Sequence, residues 1–65
     1  MNLRERIRIR FDLLRMARQA SQDGLSAEEF ELQVVDKYGE ERAWGAILAI
    51  FLQLLPLLLE WFQNR

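Results

Sequence analysis

The sequence predicts an all-α protein in which a short amphipathic two-helix segment precedes one long hydrophobic helix. The hydrophobic stretch at 43–62 carries a single charge, Glu60, near its end. As a helix it would extend about 30 Å at ~1.5 Å per residue, which matches the hydrocarbon core of a bilayer. Upstream, apolar residues recur at helical spacing on both sides of a break at 21–25. These observations predict a chain built of helices, the last of them transmembrane.

The predicted helices divide the chain into two parts. Residues 1–39 form a soluble helical hairpin with helices at about 3–20 and 27–38, and residues 40–65 form the hydrophobic C-terminal helix with its span at about 43–62. A chain of 65 residues buries only about 60% of its unfolded surface, so a monomer needs additional stabilisation. Without cysteine, disulfides cannot supply it. We therefore expect a membrane or partner chains to do so.

The first predicted helix begins at an N-cap. Asn2 can accept a hydrogen bond from the first turn, and Glu5 three residues later completes a box-like pattern. One apolar stripe of this helix consists of Leu3, Ile7, Phe11 and Leu14, and a second, beside it, of Ile9, Leu13, Met16, Ala17 and Ala20. The alternation at 6–11 also fits a strand. The helix is favoured because no second strand is available for pairing.

The second predicted helix follows a turn and begins with a capping box. Gly24 suits a left-handed turn position. Ser26 and Glu29 have the spacing at which each side chain accepts from the other residue's backbone N–H. The apolar stripe of this helix consists of Ala27, Phe30, Val34 and Tyr38. Gly39 is expected to end the helix as a left-handed cap.

The third predicted helix begins with two acids and ends near Gln63. Glu40 and Glu41 would occupy its first turn, where negative charge is favourable. Pro56 lies inside it, and an interior proline costs ~3 kcal/mol in water through a lost hydrogen bond and a steric clash. Membrane helices tolerate proline more often. We expect a kink near Pro56 that frees the Leu52 carbonyl.

Aromatic residues mark both ends of the hydrophobic stretch. Trp44 and Trp61 are 17 residues apart in the sequence, and Phe62 follows directly. This separation corresponds to about 26 Å along a helix. Such placement is typical of the interfacial aromatic belts of membrane helices, so these three residues are predicted membrane-interface anchors.

The non-bulky residues of the same stretch share one narrow helical face, here called the seam. The seam consists of Gly45, Ala49, Gln53, Pro56 and Glu60, which follow one another at steps of 4, 4, 3 and 4. The pair Gly45 and Ala49 allows two membrane helices to approach closely. The Gln53 amide would seek a hydrogen-bonding partner in hydrocarbon. The seam is therefore a predicted helix–helix interface in a homo-oligomer or a larger membrane complex.

A soluble oligomer is the alternative interpretation of the same stretch. In that case the large apolar residues of the third helix fill a core, and the seam faces outward. A helix that is hydrophobic nearly all round lies either deep in a core or in a membrane. Two short amphipathic helices cannot cover it in a monomer. This alternative therefore requires the third helices of several chains to form a shared core.

Charge is distributed unevenly along the chain. Residues 1–20 carry six arginines and two acids, a local charge of +4, whereas residues 21–42 carry seven acids and two bases, a local charge of −5. The favoured interpretation is that the two segments pack together and neutralise one another. Alternatively, Arg4, Arg8 and Arg15 contact an anionic membrane surface. Nucleic acid is disfavoured because the chain is acidic overall and lacks a recognised binding motif.

The sequence points to a non-catalytic role. It has no histidine, and no glycine loop or ligand spacing indicates a phosphate or metal site. We expect no enzyme activity, no cofactor, no metal and no small-molecule substrate. The prediction is a small single-span membrane protein that self-associates or is a subunit of a membrane or virion-type assembly, the latter by analogy of size and layout. Arginines before the span favour a cytoplasmic N-terminus; the alternative is a cytoplasmic soluble oligomer.

Overall fold

The computed structural model describes residues 1–64, and these residues form three α-helices and no strand. Helix α1 spans Leu3–Gln22, α2 spans Ala27–Tyr38 and α3 spans Trp44–Gln63. The prediction of an all-α chain with one long apolar helix at its C-terminal end is confirmed. The predicted segment 40–65 also includes Arg65, which lies outside the described residues.

The predicted N-caps of α1 and α2 both form, and the cap of α2 is a full capping box whereas that of α1 has only the Asn2 bond. The Asn2 side-chain oxygen accepts from the Glu5 backbone N–H at 2.8 Å. Ser26 and Glu29 make both bonds of the capping box, at 3.1 and 3.0 Å. Gly24 has a φ of +79°, the left-handed conformation expected for the turn. The hydrogen bonds at both caps satisfy backbone N–H groups that the first turn of a helix otherwise leaves unpaired.

The prediction for Gly39 is wrong. This residue follows α2 with φ −62° and ψ −24°, which is right-handed helical geometry. Its N–H donates to the Val35 carbonyl at 2.7 Å, as in a continuing helix. A Cβ at position 39 would collide with that same carbonyl oxygen. Glycine is therefore needed here for space and not for a positive φ.

The predicted start of the third helix is also wrong. Glu40 and Glu41 lie in the turn that joins α2 to α3, and α3 begins at Trp44. The Glu41 N–H donates to the Tyr38 carbonyl, and the Glu41 carbonyl accepts from the Trp44 N–H, both at 3.0 Å. The chain reverses direction here, so these residues form turns instead of a first helical turn. From Trp44, α3 continues through Pro56 to Gln63. The kink expected near Pro56 stays a prediction.

Helices α1 and α3 run side by side in the same direction, and α2 runs opposite to α3. Near the ends of α1 and α3, the Ser21 hydroxyl lies 3.5 Å from the Trp61 carbonyl, to which it donates. Phe30, near the start of α2, stacks on Phe62 near the end of α3, with ring centroids 5.6 Å apart. The reversal between α2 and α3 thus packs α3 against the hairpin formed by α1 and α2.

One hydrophobic cluster joins all three helices. Its buried members are Leu13, Ala17 and Ala20 of α1, Phe30 and Val34 of α2, and Ile50, Phe51, Leu54, Leu58 and Phe62 of α3. Helix α1 therefore turns its second apolar stripe inward. Of the first stripe, Leu3, Ile7 and Phe11 are exposed. The hairpin and the hydrophobic helix share this core.

Candidate functional site

Helix α3 has an inner face and an outer face. The inner face is buried and consists of Ile47, Ile50, Phe51, Leu54, Leu58 and Phe62. All five residues of the seam lie on the outer face and are exposed. The core of the chain therefore uses the side of α3 opposite to the seam and leaves the seam accessible.

Leucines border the seam and are also exposed. Leu52 is 55% exposed, and the others in this set are Leu48, Leu57 and Leu59 at 36–40%. A Cβ at Gly45 would meet no atom within 4 Å, so the chain itself leaves open space above this glycine. The outer face of α3 is thus mainly apolar and has only small side chains near its N-terminal end. Its polar groups in the seam are the Gln53 amide and the Glu60 carboxylate.

The three predicted membrane-interface anchors are packed to different degrees. Trp44 and Trp61 are partly buried, and the Arg18 guanidinium lies 5.6 Å from the centre of the Trp61 ring. Phe62 is 8% exposed and belongs to the core. In this arrangement Phe62 stabilises the bundle through Phe30 instead of lying at the surface.

A polar cluster that sequence reasoning missed joins α1 to α2. The Asp12 carboxylate accepts from Lys37 Nζ at 2.7 Å, from Arg15 at 2.5 Å and from the Tyr38 hydroxyl. Its side chain is only 10% exposed. Helical spacing places Asp12 away from the apolar stripes, but nothing local to α1 indicates a partner 25 residues further along the chain. Tyr38 was expected in the apolar stripe of α2 and contributes its hydroxyl here.

The Asp12 cluster shifts the ionisation of two of its members. Partial burial of the Asp12 carboxyl opposes ionisation, but the hydrogen bonds from its three partners outweigh burial and lower its pKa from 3.8 to about 2. Burial and the hydrogen bond to the Asp12 carboxylate raise the pKa of Tyr38 to about 12. Near neutral pH the cluster therefore pairs a carboxylate with a protonated phenol.

The favoured prediction for the basic and acidic segments is confirmed for their packing, because α1 and α2 share the core cluster, but the charges pair differently from the prediction. The ion pair described between these helices has the opposite polarity, with the acid on α1 and Lys37 on α2. The predicted surface contacts Arg4, Arg8 and Arg15 are all exposed. Arg15 is paired with Asp12 on its own helix.

The described residues offer no constellation for metal chemistry. Among residues 1–64, no three His, Cys, Asp or Glu side chains lie close enough together to hold a metal ion. In the same range, every buried side-chain nitrogen and oxygen has a hydrogen-bond partner.

Helix α3 is the one helix within residues 1–64 that is long and apolar enough to cross a membrane, and 33% of its most apolar stretch is buried in the chain. Core helices of soluble proteins can meet the same criteria of length and composition. Comparisons with protein-family models, with curated proteins and with solved structures found no match to this chain.

Proposed function

We propose that this protein is a non-catalytic membrane component that self-associates, with α3 as its single span and the seam as the contact between copies. The observation that carries the proposal is the exposure of the whole seam, together with the leucines that border it. In water, an apolar surface of this kind is covered by lipid or by another protein. A span of this length would satisfy its own backbone hydrogen bonds, as the hydrocarbon region requires.

The seam has the features that bring membrane helices together. Small residues at positions 45 and 49 let two backbones approach, and dispersion contacts then replace contacts with lipid tails. The Gln53 amide, near the middle of α3, can pair with the same amide of a second copy. Hydrogen bonds of this type contribute ~0.6–2 kcal/mol each in membranes. The proposed assembly is therefore a homo-oligomer, or a larger complex that offers an equivalent helix.

Insertion requires α3 to leave the hairpin. In the three-helix arrangement α1 lies alongside α3, so α3 must exchange its contacts with α1 and α2 for contacts with lipid tails. For the inner face of α3 this replaces one apolar environment by another. The turn at 39–43 is the segment about which α3 would move away. The arginines of α1 would remain on the cytoplasmic side.

A soluble oligomer is the second candidate, and a specific observation favours it. Six residues of α3 are buried, and five of them belong to a cluster shared with α1 and α2. Two copies could then keep this bundle and pack their exposed outer faces together in water. The leucines that border the seam would supply the buried apolar area, at roughly 25 cal/mol per Å².

Fractionation separates the two candidates. The membrane proposal expects the full chain to remain with membranes after an alkaline carbonate wash and to leave them only in detergent. A chain that stays in the supernatant without detergent and elutes as a discrete oligomer would contradict it and support the soluble candidate. A supernatant chain that is monomeric would contradict both.

The seam is tested by its own substitutions. Gly45→Ile together with Gln53→Leu should abolish self-association, measured in detergent by light scattering on a size-exclusion column. The isoleucine fills the space above Gly45 without meeting other atoms of the same chain at its Cβ. Gln33→Leu, at an exposed position on α2, is the matched control for the amide substitution. An unchanged oligomer size in the double variant would rule out the seam.

A further inference from the structure

Helix α1 carries an apolar stripe on the outside of the bundle. Leu3 is 73% exposed, Ile7 45% and Phe11 66%. They recur every four residues, which places them on one side of α1. None of the three belongs to the core cluster. We call Leu3, Ile7 and Phe11 the outer stripe of α1.

Arginines border the outer stripe on both sides. At ~100° per residue, Arg4 and Arg8 lie on one side of the stripe and Arg6 and Arg10 on the other. All four are exposed, and none forms an ion pair within the described part of the chain. The two acids of α1 lie on the opposite side of the helix, and one of them, Asp12, is occupied by Lys37, Arg15 and Tyr38.

We propose that the N-terminal half of α1 docks on an anionic lipid bilayer, with the outer stripe in the headgroup region and the arginines on lipid phosphates. Large apolar side chains between cationic ones are the pattern of helices that lie in the membrane interface. Each arginine close to an anionic surface adds favourable electrostatic free energy. The phosphates of a nucleic acid would pair with the arginines, but its phosphodiester backbone has no apolar surface against which Leu3 and Ile7 could pack.

This inference rests on the proposed membrane attachment and specifies the charge of the lipids involved. It also accounts for what happens to α1 when α3 inserts. Departure of α3 uncovers Leu13, Ala17 and Ala20, which lie on the stripe adjacent to the outer stripe. A helix lying in the membrane interface can bury both stripes if Arg6 and Arg10, which lie between them, extend their guanidinium groups to the headgroups. The bilayer surface thus replaces the apolar cover that α3 supplies in the closed bundle.

Site-directed spin labelling tests the inference on the full chain. The sequence contains no cysteine, so each single-cysteine variant carries one label. Labels at Ile7→Cys and Phe11→Cys report the outer stripe, and Leu52→Cys reports α3. Leu32→Cys, at an exposed apolar position on α2, is the matched control. Depth is measured by power saturation in vesicles of phosphatidylcholine alone and of phosphatidylcholine and phosphatidylglycerol in equal parts.

The expected result is lipid exposure of positions 7 and 11 in the mixed vesicles only, with position 32 aqueous in both. Aqueous labels at 7 and 11 in the mixed vesicles would overturn the inference, and position 52 inside the bilayer would then leave the proposed span intact. If position 52 is aqueous while 7 and 11 are inserted, the span fails and the docking of α1 stands. Labels at 7 and 11 that are immobilised without vesicles would indicate a protein contact and overturn the inference.

Charge variants complete the test. Arg4→Gln with Arg8→Gln should shift α1 from bilayer-bound to free roughly 30-fold in the mixed vesicles, from about fivefold for each arginine. Arg4→Lys with Arg8→Lys retains the charge and should keep most of the binding. If the glutamine and lysine double variants leave position 11 inserted to the same extent, attraction to anionic lipid is ruled out.

Discussion

Replacing Asp12 by asparagine removes the negative charge that binds α1 to α2. The Asp12 carboxylate accepts from Lys37, Arg15 and Tyr38, and its pKa falls from 3.8 to about 2. At roughly 1.4 kcal/mol per pKa unit, this difference corresponds to about 2.5 kcal/mol of folding free energy. Because the side chains of Lys37 and Arg15 are 48% and 79% exposed, solvent screening reduces this figure. It is an upper value, since asparagine retains part of the hydrogen bonding.

The sign of the pH dependence follows from the lowered pKa. The unfolded chain takes up the Asp12 proton first as pH falls, so the stabilisation is complete above about pH 5 and is lost progressively towards pH 2. Other carboxyls also titrate in this range. Their contribution cancels when the wild type is compared with Asp12→Asn at each pH. The stability difference between the two should therefore decrease by about 2 kcal/mol from near neutral pH to about pH 2.

Urea unfolding followed by far-UV circular dichroism measures this difference, in buffer or in the non-denaturing detergent that keeps the chain in solution. Asp36→Asn is the control, because Asp36 is exposed and forms no ion pair within residues 1–64. A stability difference between wild type and Asp12→Asn that is the same at both pH values would contradict the stabilising role of the Asp12 carboxylate. A carboxyl carbon of Asp12 that titrates near pH 4 by NMR would refute it independently.

Four further substitutions test the packing and the caps, each by the same unfolding measurement. Gly39→Ala should destabilise the chain by about 1–2 kcal/mol because its Cβ collides with the Val35 carbonyl. Gly45→Ala, where the space is open, should stabilise it by up to about 1 kcal/mol. Equal effects of the two substitutions would contradict the different surroundings of the two glycines. Ser26→Ala should cost about 1 kcal/mol by removing the capping box, and no loss would mean that α2 starts elsewhere. Phe30→Ala should cost about 3–5 kcal/mol because this ring is 1% exposed and contacts two rings of α3; a cost below about 1 kcal/mol would mean that α3 does not pack on α2.

Part of the candidate site could be predicted from the sequence, because helical geometry is local. Steps of four and three residues place Gly45, Ala49, Gln53, Pro56 and Glu60 on one face wherever the helix lies. That this face is left outside the core is a result of the structure. Its role as an interface stays a prediction, because the geometry of one helix defines the face but does not show what packs on it.

The Asp12 cluster could not be predicted in the same way. Its partners Lys37 and Tyr38 lie on another helix, and their approach depends on how the turn at 23–26 orients α2. The expected neutralisation of α1 by α2 failed for a related reason. Net charge describes a segment, whereas an ion pair requires two particular side chains within about 4 Å of each other.

Local sequence accounts for the three helices, the caps at Asn2 and Ser26 and the left-handed Gly24, because each depends on residues within four positions of one another. Tertiary packing determined which apolar stripe of α1 is buried, since hydrophobic attraction has no direction and two adjacent stripes are equivalent until α3 packs on one of them. It also decided that residues 40–43 form turns and that Gly39 is needed for space. Both follow from the reversal that brings α3 back against the hairpin.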